Sequence, residues 1–128
     1  MSAWKPPPWA VPPPNPDLVL EQRKGDQVLH TFELSKKRCF ILGRQPGVAD
    51  ILIENDEAVS RQHAALVPSS NSLYLYDLKS FRGTYHNRSR VKPDVPQKLA
   101  EGSEIALSEG APTRFVVRGL RPPVAPAV

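Results

Sequence analysis

Three short stretches carry the side chains with chemical potential. Gly43-Arg44 sets a guanidinium directly after a glycine, and Ser60-Arg61-Gln62-His63 places a hydroxyl, a second guanidinium and an imidazole within four residues. Ser80-Phe81-Arg82-Gly83-Thr84-Tyr85 adds hydroxyls and another arginine. Two chemistries compete for these residues. Ser60, His63 and Asp77 can be assembled on paper into a hydrolase triad. No nucleophile elbow surrounds Ser60, however, and no glycine-rich oxyanion loop accompanies it. The other chemistry is anion binding. A phosphate ester carries close to two negative charges and three strong acceptor oxygens, so its pocket needs fixed cations and donors with no carboxylate nearby. Arginine suits the task because its guanidinium gives two parallel hydrogen bonds to phosphate oxygens, which lysine cannot do.

Those stretches need elements to hold them together, and the sequence reads as short strands. Leu18-Val19-Leu20 and the alternating Val28-Leu29-His30-Thr31-Phe32-Glu33-Leu34 flank the turn Lys24-Gly25-Asp26 and predict a hairpin with a half-buried second strand. Cys39-Phe40-Ile41-Leu42 is a short buried strand that ends at Gly43-Arg44. Asp50 to Glu54, His63 to Val67 and the β-prone Leu73-Tyr74-Leu75-Tyr76-Asp77-Leu78 follow, the last two separated by a Pro-Ser-Ser-Asn-Ser turn. Gly83 to Asn87 opens another strand, Arg88-Ser89 is read as a two-residue turn into Arg90-Val91, and Pro93 and Pro96 sit in an irregular connection. Glu104 to Leu107 and Arg114 to Arg118 form a final hairpin around Glu109-Gly110-Ala111-Pro112. About ten short strands with frequent turn signals and no convincing helix predict an all-β sandwich or barrel. The three stretches then fall in loops.

The first sixteen residues differ in texture, holding seven of the fifteen prolines. Proline fixes φ and removes the amide donor, so this Pro-rich arm is expected to be polyproline II or disordered. It is either a docking site for an aromatic groove on another protein or a strap held to this domain by Trp4 and Trp9. Exposing two tryptophans to water is costly, which favours the strap. The expected division is an arm over 1–17, a domain over 18–120 and a loose tail over 121–128.

Composition narrows the function classes. At 128 residues and 40% hydrophobic content the chain is long enough for one core without a metal or disulfides. Cys39 is the only cysteine and lies in an apolar run, which fits a buried small hydrophobe and a reducing compartment. No apolar run has transmembrane length and the first residues lack a signal-peptide core, so no membrane association is expected. The Asn87-Arg88-Ser89 acceptor pattern is accordingly taken as chance. Seventeen basic against thirteen acidic residues give a formal charge of +4, scattered rather than clustered, suited to a phosphorylated partner or weak nucleic-acid attraction. No metal cluster, nucleotide loop or carboxylate pair is present, so no enzyme, cofactor or metal is expected.

Taken in order, Phe40-Ile41-Leu42-Gly43-Arg44, Val59-Ser60-Arg61-Gln62-His63-Ala64, and Tyr76-Asp77-Leu78-Lys79-Ser80 through Gly83-Thr84-Tyr85-His86-Asn87 resemble the signature of the forkhead-associated (FHA) domain. Leu99 to Ile105 resembles that family's last strand pair, so the likeness covers roughly Leu18 to Leu120. Pro7-Pro8-Trp9-Ala10 and Phe115 to Gly119 resemble kanadaptin and, less closely, the nuclear phosphatase-inhibitor type. The resemblance implies a β-sandwich of two twisted, mainly antiparallel sheets that binds threonine-phosphorylated proteins or peptides through loops at one end. A monomer is expected, and the subgroup implies a nuclear home, with the cytoplasm as the alternative.

Residue roles follow from that resemblance and from the chemistry. Arg44 is the main phosphate clamp, and Gly43 lets the backbone turn tightly at a buried strand end. Ser60 donates its hydroxyl to the phosphate. Arg61 is weighed evenly between a second phosphate contact and a solvated arm. The ring of His63 braces the binding loops from inside, and Gly83 and Thr84 are structural. The third loop departs from the family, which usually reads serine, threonine, asparagine, glycine, threonine. Here Phe81 replaces the threonine and Arg82 the asparagine. An asparagine amide both donates and accepts, whereas a guanidinium only donates. Arg82 is therefore expected either to favour acidic residues beside the phosphothreonine or to weaken generic peptide binding, while Phe81 offers an apolar surface. Two functions remain in play. One is a phosphothreonine-binding adaptor module. The other is an FHA-like domain that has lost such binding and acts through its arm or through weak RNA contacts.

Overall fold

The β-prone runs become eleven short strands in the computed structural model, which describes residues 4–13, 16–54, 56–70 and 72–120. They are β1 (Val19–Lys24), β2 (Gln27–Glu33), β3 (Phe40–Gly43), β4 (Ile51–Leu52), β5 (Ala64–Pro68), β6 (Leu73–Asp77), β7 (Tyr85–His86), β8 (Ser89–Arg90), β9 (Gln97–Lys98), β10 (Glu104–Ala106) and β11 (Arg114–Arg118). One sheet has the order β2-β1-β11-β10-β7-β8 and the other β4-β3-β5-β6-β9. Ladders are antiparallel except for β3 with β4, which run parallel. Among the described residues no helix is long and apolar enough to cross a membrane. The expected tail over 121–128, and Met1 to Ala3, Pro14 and Asn15 of the expected arm, lie outside the described residues.

Alternation builds the core. Leu18 and Leu20, Phe40 and Leu42, Ala64 and Leu66, Leu73 and Leu75, and Phe115 and Val117 meet between the sheets, all nearly or fully buried. Odd-and-even partners on β5 behave differently from an ordinary half-buried strand. Ala65 and Val67 point away from this core yet are also fully buried. Their cover is the arm. Ala10 is buried against them, and the Val11 amide donates to the Pro68 carbonyl at 3.1 Å. Trp4 lies on Tyr76 and Trp9 stands edge-on to Tyr74, each pair with ring centroids 5.2 Å apart. An aromatic pair of this kind is worth about 0.5–1.5 kcal/mol beyond the area it buries. The unbroken Ala-Ala-Leu-Val run of β5 thus reflects burial on both faces. The arm is not polyproline II throughout, because a turn at Pro8-Trp9 lets the Ala10 amide donate to the Pro7 carbonyl at 3.1 Å.

Four sequence expectations need correction. β2 is largely exposed rather than half-buried, because it is an edge strand paired with β1 alone and sends only Phe32 to the core. Asp50 to Glu54 yields a ladder of only two residues, since Asp50 is used instead to accept the Ile41 amide through its carboxylate. The irregular connection holds a strand, β9, which pairs with β6 through Leu75 and Gln97. The turn after β7 is Asn87-Arg88, not Arg88-Ser89. Both residues are left-handed, with φ of 49° and 72°, as a two-residue hairpin matched to strand twist requires, and asparagine tolerates that region.

Register then decides where function can sit. Leu42 pairs with Ala64, and Ala64 pairs with Asp77. The C-terminal end of β3, the start of β5 and the end of β6 are therefore level with one another. The loops that leave or enter there are the three stretches singled out by their chemistry.

Candidate functional site

At this end of the sandwich the first two loops are stitched together by backbone. The Arg44 amide donates to the Ser60 carbonyl at 3.2 Å and the Gln45 amide to the Arg61 carbonyl at 3.3 Å. Their approach explains Gly43 better than a tight turn does. A β-carbon on Gly43 would lie 2.0 Å from the Arg61 carbonyl oxygen and 2.7 Å from its carbon, so the side chain is excluded by the facing backbone. Arg44 itself is exposed, but its Nε–H donates to the Val59 carbonyl at 2.8 Å. That bond fixes the guanidinium plane beside Ser60. Its two terminal amines have no hydrogen-bond or ion-pair partner among the described residues.

His63 joins all three loops. Its amide donates to the Leu42 carbonyl at 2.8 Å, and its own carbonyl accepts the Leu78 amide at 3.0 Å. Nδ1 accepts the Ser60 amide at 3.0 Å, which makes Nε2 the protonated nitrogen, and Nε2–H donates to the Gly83 carbonyl at 2.8 Å. The residue is fully buried, and burial pushes its pKa below the ordinary value. The paper triad does not exist. His63 holds the Ser60 amide rather than its hydroxyl, and Asp77 bonds elsewhere.

Asp77 ends β6 as a buried carboxylate that accepts the hydroxyls of Ser80 and of Thr84, the latter at 2.7 Å. Ser80 Oγ in turn accepts the Gly83 amide at 3.0 Å. This closes the third loop into a rigid turn. Gly83 has φ of +89° and lies under the Arg90 guanidinium, whose Nε would be 2.7 Å from a β-carbon. The sequence reading missed Asp77 as a brace. Its signal was an acid closing an otherwise apolar strand, with hydroxyls three and seven residues later. Arg90 carried no such signal, because only the hairpin brings it over Gly83.

The third loop meets the second through the Phe81 amide, which donates to Ser60 Oγ at 3.2 Å. Ser60 Oγ accepts in that bond and keeps its own proton to donate. Phe81 is 82% exposed, and the Arg82 guanidinium sits over its ring at 5.3 Å from the centroid. Arg61 is exposed at the same end. Beside Phe81 and Arg82 opens a pocket of about 520 Å³, walled further by Tyr85, Arg90, Ser108 and Glu109. Arg44, Ser60 and Phe81 are thus brought together through their loops, Arg82 joins them through its contact with the Phe81 ring, and Arg61 is exposed at the rim.

A β-sandwich that gathers three braced loops at one edge is a loop-presenting module. The FHA domain family model matches residues 40–108, and the chain belongs to the FHA domain family. A protein phosphatase 1 regulatory inhibitor subunit homolog of Arabidopsis thaliana is 38% identical over 108 residues, covering 84% of this chain and 29% of that protein. The human nuclear inhibitor of protein phosphatase 1 is 33% identical over 123 residues, covering 94% of this chain and 34% of that protein. Human kanadaptin is 30% identical and covers 78% of this chain and 15% of that protein, so the two subgroup likenesses rank opposite to the order read from the arm. The chain spans about a third or less of these curated relatives. Among solved structures, full-length yeast Pml1p shares the fold with a TM-score of 0.78 at 23% identity, over 90% of this chain and 98% of that one. A structure from work on phosphothreonine-dependent FHA domain interactions has a TM-score of 0.65 at 26% identity, over 86% of this chain and 98% of that one.

Proposed function

We propose that this domain, spanning 18–120, is a phosphothreonine-peptide-binding module that acts as a non-catalytic adaptor. The observation that carries the reading is Arg44. Its Nε is committed to the Val59 carbonyl and its amide to the Ser60 carbonyl, so the guanidinium is anchored at the second loop with its terminal amines left to bind a ligand. Preorganisation of this kind lowers the ordering cost of binding. Arg61 supplies a second cation at the rim. Phe81 and Arg82 take the ligand segment next to the phosphate, the ring giving apolar area and the guanidinium favouring an acidic neighbour. Glu109 in the same pocket wall repels that acid and so favours its pairing with Arg82 and Arg90. In this reading the module is a monomer and works in the nucleus, and the nuclear part is supported by the name of the human inhibitor relative. The names of the inhibitor relatives also support protein phosphatase 1 as a member of the assembly into which this domain brings a threonine-phosphorylated partner.

The test is a titration with a threonine-phosphorylated peptide drawn from an array, together with its unphosphorylated twin. Wild type binds only the phosphorylated form. Arg44→Ala loses about 1.5–3 kcal/mol of that binding, the usual worth of a charge-assisted hydrogen bond. Equal binding of the twins, or indifference to Arg44→Ala, sinks the proposal. A second reading rests on the third loop. With Phe81 and Arg82 in place of the family's threonine and asparagine, the fold acts through its arm or weak RNA contacts instead. An array without a single phosphopeptide hit favours it.

A further inference from the structure

Gln62 sits between the rim arginine Arg61 and the brace His63, and no role in the pocket accounts for it. Its side chain faces the arm. The Trp4 amide donates to Gln62 Oε1 at 2.7 Å, while the Trp4 ring lies on Tyr76 of β6. The arm is therefore tied at three levels: Trp9 on Tyr74, the Val11 amide on Pro68, and Trp4 on both Tyr76 and the second loop. We infer that the Pro-rich arm is a positioning strap of the recognition loop, with Trp4 and Gln62 as its positioning residues. The ring of Trp4 fixes where its amide lies, and that amide holds Gln62 Oε1. Prolines at 6, 7 and 8 stiffen the path between the two tryptophan anchors, so the amide is held at little cost in chain entropy. Loss of the strap removes the tie between the arm and Gln62, while the His63 ring, the β3 contacts and the Phe81 and Leu78 amides still hold Ser60 and His63, and the loop samples more conformations. A protein that captured the arm would loosen the pocket in the same way.

The inference rests on the proposed phosphate site only for its effect on affinity. Its effect on the loop is read without any ligand. The experiment uses the full 128-residue chain, the variants Trp4→Ala and Gln62→Ala, and their combination. Trp4→Ala keeps the backbone amide and the Trp9 anchor, so it removes only the ring that positions the amide. Amide hydrogen exchange of the free protein is measured at Arg44, Gln45, Ser60 and His63, whose bonds lock the loop, and at Gly102 and Val117 in the other sheet as controls. Each single variant is expected to speed exchange at the first four amides about five-fold, near the worth of one hydrogen bond, and to leave the controls unchanged. The double variant adds little to either single, the signature of one shared contact. Affinity for a phosphothreonine peptide falls by a similar factor. Unchanged exchange at those four amides overturns the strap. So does acceleration spread evenly to Gly102 and Val117, which would make the arm a mere cover for the sheet. If Trp4→Ala does not fold, Gln62→Ala alone decides by the same amides. If wild type binds no phosphopeptide, the site reading fails while the exchange result still judges the strap.

Discussion

His63 serves two loops with one proton. Nδ1 must stay unprotonated to accept the Ser60 amide, and Nε2–H must remain to reach the Gly83 carbonyl. A proton on Nδ1 would break the first bond and charge a fully buried ring, and burial accordingly lowers the pKa from 6.5. The consequence for stability has a definite sign. Above 6.5 both folded and unfolded chains hold neutral His63. As pH falls below that value the unfolded chain takes the proton first, so stability drops until the lower folded pKa is passed, and then levels. His86 is also lowered by burial and adds to the same trend. The urea midpoint should therefore fall as the pH drops below about 6.5. His63→Gln should cost about 2 kcal/mol at neutral pH by unpairing buried groups, and should flatten the acid slope that His86→Gln flattens only in part. An unaltered slope in His63→Gln would place the sensitivity elsewhere. The bracing role of this residue was legible by family likeness, but its partners were not. One of them, Gly83, lies 20 residues further along the chain, and spacing alone does not say which carbonyl an imidazole will reach.

At the level of strands and loops, the junction of β3 with the second loop is the tightest point of the site. Gly43→Ala forces a β-carbon into the Arg61 backbone, and backbone cannot swing aside as a side-chain tip does. A cost of about 1–3 kcal/mol is expected, with a loss of phosphopeptide affinity because Arg44 and Ser60 are pushed apart. Full binding by a normally stable Gly43→Ala would contradict that packing. The β7–β8 hairpin predicts the opposite sign. Arg88 holds φ of 72°, a region that costs a side-chain-bearing residue about 1–2 kcal/mol. Arg88→Gly creates the preferred Asn-Gly turn and should raise the unfolding free energy by about 1 kcal/mol, read from urea denaturation. Asn87 should resist replacement, since its Oδ1 accepts the Glu104 amide at 2.9 Å and ties the hairpin to β10. The strands with alternating or apolar runs, β1, β3, β5, β6 and β11, were readable because burial writes a pattern into them. β9 was not, because Gln97 and Lys98 are exposed and owe their conformation to the Leu75 and Tyr74 partners alone. Edge strand β2 misled for the reverse reason. It alternates, but no layer faces most of its apolar positions, and Val28 and Leu29 stay exposed.

For the whole molecule the layers run arm, sheet, core, sheet, and the recognition loops project from one end of this stack. The core layer follows from composition and alternation, whereas the arm layer follows from two tryptophans and a doubly buried strand that only the tertiary structure connects. Charge is the property the entire chain shares. The net +4 attracts any polyanion, so attraction alone does not separate a phosphopeptide module from a weak RNA binder. Ionic strength does. A phosphothreonine presents about two charges to a few fixed donors. Its binding should weaken only modestly with salt, because the bonds proposed from Arg44 and Ser60 are local and directional. A surface that neutralises many phosphates releases a counterion at each, and affinity then falls about 10³–10⁵-fold between 50 and 200 mM salt for six to ten contacts. The basic residues here are not gathered for that. Lys37 is paired with Asp50, Lys79 with Asp94 and Arg114 with Glu104, leaving Arg44, Arg61, Arg82 and Arg90 around the loops. Affinity for the phosphothreonine peptide should accordingly change less than about tenfold over that salt range, and binding of a single-stranded RNA should be weak and vanish within it. A steep salt slope for RNA together with none for phosphopeptide would transfer the function from the three loops to the molecule's general charge.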